Sequence, residues 1–186
     1  MSVFSDEFAQ EPGLRYLNHA AVAPWPKRAA EAVRQFAEQN SRLGARDYPQ
    51  WLKVEQRLRE RLQRLLNAPS RADIALVKNT SEALSFVAFG LDWRAGDQVV
   101  ISDEEFPSNR IVWEALQPRG VEVIQVSLQG RNPEADLLAA CGPRTRLLSI
   151  SAVQYASGLR LDLERLGAGC LGKGVLFCVD AIQQLG

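Results

Sequence analysis

The chain has 186 residues, with 22 Lys and Arg against 22 Asp and Glu, so its formal net charge is zero. A hydrophobic share of 46% beside 24% charged residues excludes a disordered or collagen-like chain, and the even charge removes the basic footprint expected of a nucleic-acid binder. That length suits one domain with an appended segment, and no apolar run approaches the ~20 residues that a membrane span needs.

In chain order, the first seven residues carry early acids and no hydrophobic stretch, which reads as no secretory leader. Residues 1–24 read as an irregular arm, broken at Pro12-Gly13, with Tyr16-Leu17 as its first apolar pair. Pro26 sits where a helix can start, so a helix is expected from Lys27 to about Leu43, ended by Gly44. A second follows Asp47, because Trp51, Val54, Leu58, Leu62 and Leu65 recur at helical spacing; it stops near Ala68-Pro69. From residue 72 the texture changes. Strands are expected at Ile74–Val77, Gln98–Ser102, Val121–Val126, Arg146–Ser151 and Val175–Val179. Helices are expected between them at Ser81–Leu91, Ser108–Leu116, Pro133–Ala140 and Leu161–Leu171.

Strands that are apolar throughout and alternate with helices imply an α/β fold with a parallel sheet covered on both faces. The implied division is an arm with helices over 1–70 and an α/β domain over 71–186. Three cysteines, Cys141, Cys170 and Cys178, lack C-x-x-C spacing, so buried reduced thiols in a cytoplasmic protein are expected, with no disulfide framework and no metal site.

Ligands of such sheets bind beyond the carboxyl ends of the strands, which directs attention to the polar residues there. Lys78-Asn79-Thr80-Ser81-Glu82 joins a strand to a helix, whose N-terminus offers unpaired N–H groups and hydroxyls to an anion. Thr80 or Ser81 acting only as the helix cap is the plainer alternative. Val179-Asp180-Ala181-Ile182-Gln183 ends an apolar strand in a carboxylate, which needs a cationic partner there or else caps the next helix. Phe106, in Glu105-Phe106-Pro107-Ser108-Asn109, either stacks on a ligand or packs in the core, and Ser108 reads as a helix cap. His19, the only histidine, stands in Asn18-His19-Ala20-Ala21 with no second histidine for a metal.

Together, Tyr16 to Ala21, Asn79 to Ala83, Glu105 to Asn109, Ser151 to Gly158 and Val179 to Gly186 resemble, in the same order, five segments of the class V aminotransferase family. That family comprises pyridoxal-phosphate enzymes, among them cysteine desulfurases and isopenicillin-N epimerase-like proteins. The resemblance implies the large domain of a fold-type I transferase, three-layered α/β/α with a mainly parallel sheet, and pyridoxal 5'-phosphate as cofactor. It implies that Thr80 and Ser81 hold the phosphate, that Phe106 stacks on the ring and that Asp180 pairs with the ring nitrogen. Gln183 and one of Gln154 or Tyr155 would face the ring hydroxyl, while Asn18, His19 and Ala20 lie on the substrate side. It also implies an amino-acid substrate and a homodimer when full length.

Phe106 stands where desulfurases carry a histidine and cannot exchange a proton, which counts against desulfurase chemistry and towards transamination or epimerisation. The family's Schiff-base lysine falls beyond Gly186, and none of Lys27, Lys53, Lys78 and Lys173 stands at a matching position. The 186 residues are therefore expected to be inactive and poorly soluble alone, as the N-terminal part of a longer enzyme. A cysteine desulfurase or selenocysteine lyase-like member, a Rossmann-type oxidoreductase, which lacks its glycine fingerprint here, and a non-catalytic α/β domain are the alternatives.

Overall fold

In the computed structural model, which describes residues 6–8 and 10–185, proline and glycine bound the first helix, α1 (Lys27–Leu43). Pro26 precedes it, and Gly44 leaves it at a φ of 53°, a value that costs glycine nothing. The second helix, α2 (Tyr48–Leu66), ends at Asn67 in the left-handed conformation that asparagine tolerates. Phe36 of α1 meets Trp51 of α2 edge-on at 5.2 Å between ring centres. These elements form one compact unit, Met1–Leu76; Val77–Gly186 forms another. Residues 1–5, most of the stretch read as lacking a leader, and Gly186, the last position of the Val179–Gly186 signature, lie outside the described residues.

The second unit contains α3 (Thr80–Gly90), β1 (Gln98–Ser102), α4 (Ser108–Glu114), β2 (Glu122–Val126), α5 (Pro133–Ala140), β3 (Thr145–Ser151), α6 (Leu163–Lys173) and β4 (Leu176–Asp180). Its four strands pair in the order β2-β1-β3-β4, every pair parallel. The strand period of two divides the core between the faces. Val99, Ile101 and Leu147 pack with Leu84, Ala88, Val112, Trp113 and Leu116 of the α3 and α4 side. Val100, Leu148 and Ile150 pack with Leu137, Cys141, Leu166 and Cys170 of the α5 and α6 side. Both faces of β1 and β3 are therefore covered, which is why their sequences are apolar without alternation.

The chain leaves β1 towards β2 and leaves β3 towards β4, so the direction of winding reverses between β1 and β3. A crevice opens at the carboxyl ends of strands at such a reversal. No helix among the described residues is long and apolar enough to cross a membrane.

One expected strand does not form. Ile74–Val77 belongs to no ladder, although its residues favour a pleated surface. A strand is stable only against a partner, and the four described strands pair among themselves, leaving Leu76 and Val77 exposed.

Candidate functional site

The cap of α3 is Asn79, not Thr80 or Ser81. Its side chain accepts from the Glu82 amide at 2.9 Å, while the Glu82 carboxylate accepts from the Lys78 amide at 2.8 Å. The cap therefore leaves the Thr80 and Ser81 amides and hydroxyls without a hydrogen-bond donor role among the described residues. Lys78, whose side chain is 84% exposed, pairs with Glu82 at 3.6 Å.

Ser81 and Phe106 line one hollow of about 410 Å³, which runs between α3 and α4 past Ser85, Phe89 and Ile111. The Phe106 loop leaves the end of β1 through Pro107, whose fixed φ already suits a helix and which stands as the N-cap of α4. Ser108 is consequently the first helical residue rather than the expected cap, and no side chain caps α4.

Beneath Phe106 lies a cluster that the sequence reading missed. Glu105 is 6% exposed and has no Lys or Arg partner among the described residues. Its carboxylate instead accepts from the Ser102 hydroxyl at 2.7 Å, the Asn109 amide at 2.8 Å and the Gln154 amide at 3.2 Å. The Ser151 backbone N–H donates to both its oxygens, at 2.9 and 3.0 Å, and the Ser151 hydroxyl donates at 2.6 Å. Asn109 in turn accepts from the Trp113 indole and the Ser149 hydroxyl. Such a buried charge is held by neutral donors alone, and loss of any one leaves a polar group stranded at a cost of about 1–3 kcal/mol. One signal was readable: Glu105 and Asn109 are four residues apart, so a helical start turns both to one side.

The same network separates Gln154 from Tyr155. Gln154 is 1% exposed, and its amide is committed to Glu105 and Ser102, while its Oε1 has no partner among the described residues. Tyr155 is 48% exposed and meets the Phe106 ring edge-on at 5.1 Å.

Asp180 closes β4 directly opposite Ser151 of β3, and its backbone carbonyl accepts from the Ala152 amide. Its Oδ1 accepts from the Ile182 amide at 3.0 Å, whereas Oδ2 accepts no hydrogen bond among the described residues, although Asp180 is only 8% exposed. Oδ2 is not among the buried atoms left without a partner, so this side of a mostly buried carboxylate is open to a cationic or N–H partner from outside the chain. Gln183 is half-buried in the turn that follows. The links run from Asp180 across the ladder to Ser151, by hydrogen bond to Glu105, by one peptide to Phe106, and through the hollow to Ser81. These residues occupy one end of the sheet. Asn18, His19 and Ala20 belong to the first unit, where Tyr16 and His19 meet edge-on at 5.3 Å.

The three thiols are free. Burial pushes Cys141 and Cys178 up from the usual thiol range, and pushes Cys170 to about 11 with the Cys141 thiol adding to the rise. No group of His, Cys, Asp and Glu among the described residues could hold a metal ion.

The profile of the family described as "Aminotransferase class-V" matches residues 15–186. The chain belongs to this family. A probable cysteine desulfurase of Methanothermobacter thermautotrophicus is 33% identical over 92% of the chain and 44% of its own length. Cysteine desulfurase CsdA of Escherichia coli, as a solved structure, superposes with a TM-score of 0.77 at 29% identity over 93% of this chain and 47% of that one. A C-DES variant with glycine covalently linked to its PLP cofactor gives 0.85 at 25% identity, over 97% and 50%. The chain thus spans about half the length of the class-V relatives it matches, and its α/β architecture is that of their fold-type I large domain.

Proposed function

We propose that the chain carries part of the cofactor site of a class-V enzyme that uses pyridoxal 5'-phosphate on an amino acid, with a sulfur amino acid as the preferred substrate. The observation that carries the reading is the gathering of the Ser81 helix start, the Phe106 ring and the half-engaged Asp180 carboxylate at one end of a parallel sheet. The residues present fit the group: an anion for the open end of α3, a flat ring for Phe106, and an N–H for Asp180 Oδ2.

When bound, pyridoxal phosphate supplies an electron sink for negative charge developing at the α-carbon of the substrate. Thr80 and Ser81 would hold its phosphate through their hydroxyls and backbone N–H groups. Asp180 would keep a proton on the ring nitrogen, and its own burial would strengthen that pairing by limiting water. Gln183 would hold the ring hydroxyl. Between Gln154 and Tyr155 the commitment of the Gln154 amide to Glu105 favours Tyr155 as the side chain on the ligand side. Asn18, His19 and Ala20 are assigned to the substrate side on the resemblance alone. The lysine that this chemistry needs is taken to come from outside the 186 residues, since Lys78 is exposed and paired with Glu82.

Cysteine-directed chemistry is favoured because relatives are named cysteine desulfurases and because a C-DES structure is described as a cystine C-S lyase bound to cysteine persulfide. Transamination or epimerisation is the second reading. It is favoured by Phe106, which offers a ring face and no exchangeable proton. A cytoplasmic homodimer is the expected setting, supported by the free thiols and the resemblance.

The test is titration of pyridoxal phosphate into the full-length gene product, followed by its visible absorption. The expected result is a bound band that weakens about tenfold or more in affinity for Ser81→Asp, a loss of ~1.4 kcal/mol from charge set against charge. Sulfide released from cysteine supports the first reading, whereas keto-acid or epimer formation without sulfide supports the second. Absence of any band in the unsubstituted protein contradicts both.

A further inference from the structure

The Glu105 carboxylate lies on the sheet side of the site and touches no group assigned above to the cofactor, yet its partners join the site's separate segments. Ser102 ends β1, Asn109 lies in the first turn of α4, Ser151 ends β3, and Gln154 begins the turn that carries Tyr155. Ser151 is the decisive contact. As the last residue of β3, facing Asp180 across the ladder, it spends its backbone N–H on Glu105. The end of the β3–β4 pair is thereby fixed by a side chain belonging to the loop after β1. Two strand ends on either side of the winding reversal are pinned to one carboxylate, and the residue that follows it is Phe106.

We infer that Glu105 is a positioning residue of this site: by gathering five neutral donor groups onto one buried carboxylate, it sets the Phe106 and Tyr155 rings against the Asp180 end of the sheet. The inference rests on the cofactor reading above and deepens it. Glu105 moves no proton and holds no ligand; it fixes the spacing between the ring face and the carboxylate that a flat cofactor must bridge. Glutamine replaces it only in part, because its amide –NH₂ accepts nothing and the donors that now meet that oxygen position must turn away. The Gln154 amide –NH₂ is turned towards Glu105, with the Ser102 hydroxyl and the Ser151 carbonyl also in reach, while its own Oε1 has no partner among the described residues.

The test uses the full-length protein and compares Glu105→Gln with Ser102→Ala, which removes a single donor and keeps the carboxylate. Three quantities are read below the unfolding temperature: the Kd for pyridoxal phosphate, the visible circular dichroism per bound cofactor, and hydrogen exchange at the Ser151 amide. Glu105→Gln is expected to raise Kd about tenfold, to reduce the induced ellipticity per bound molecule at least twofold and to release the Ser151 amide to exchange. Ser102→Ala is expected to move all three in the same direction by a smaller factor. A fold brace with no positioning role would lower the melting temperature and leave Kd and ellipticity unchanged, and that result overturns the inference. If Glu105→Gln does not fold, unchanged Kd and ellipticity in Ser102→Ala overturn it equally. Loss of the band in the unsubstituted protein would instead overturn the cofactor reading, and this role with it, so the two failures are told apart by which protein shows them.

Discussion

Cys170 illustrates how far a single residue's surroundings decide its chemistry. Burial and the neighbouring Cys141 hold its thiol up to about 11, so the folded protein favours the protonated form more than the unfolded chain does. The linkage follows in sign: the contribution is complete below the ordinary thiol value near 9, and is lost as pH rises towards about 11, because only the unfolded state then releases the proton. Urea midpoints measured from pH 8 to pH 11 should therefore fall more steeply for the unsubstituted protein than for Cys170→Ala, and parallel curves would contradict this. Phe106 and Asp180 were legible as site candidates from strand-end position and residue type, and Ser81 from its place at a helix start. Glu105 was not. Its partners come from residues 3 to 49 positions away, and the one local signal, Asn109 four residues on, does not mark a carboxylate as buried among neutral donors.

At the scale of elements, most helices and strands fall where the sequence places them, and β1 and α5 begin and end at the expected residues. Others differ by a residue or two at their ends: α4 stops at Glu114, α6 spans Leu163–Lys173, and two helices take caps other than the expected ones. Asn79 caps α3 because its short amide reaches the Glu82 N–H, which leaves Thr80 inside the helix; Pro107 starts α4 and draws Ser108 in after it. Both outcomes depend on which of several adjacent cap-competent residues takes the extended conformation, a choice made by the incoming loop. Asn79→Ala should cost about 1 kcal/mol in the urea unfolding of the full-length protein. It should also weaken cofactor binding by less than Ser81→Asp does, because Asn79 orders the helix start without being assigned to the phosphate. Equal or larger loss of binding from Asn79→Ala would mean that the cap itself is the anion site. Ile74–Val77 shows the limit of propensity: its residues favour a strand, but pairing is a property of two segments, and no described strand pairs with it.

At the scale of the whole molecule, the alternation of apolar strands and helices was sufficient to anticipate a parallel sheet with two covered faces, and the order β2-β1-β3-β4 adds the winding reversal beside which Glu105 sits. That order could not be read from the sequence, since each crossover can return the chain to either side of the preceding strand. The chain's membership of the class-V aminotransferase family and its span of about half its relatives' length together make the full-length product the object to measure. The central claim is that Ser81, Phe106 and Asp180 grip one small molecule. A crystal structure of the full-length protein grown with pyridoxal phosphate tests it most directly. The account predicts the phosphate on the Thr80 and Ser81 amides, the ring against Phe106 and the ring nitrogen at Asp180 Oδ2. Cofactor density bound elsewhere, or bound at Ser81 with its ring out of reach of Asp180, would contradict it.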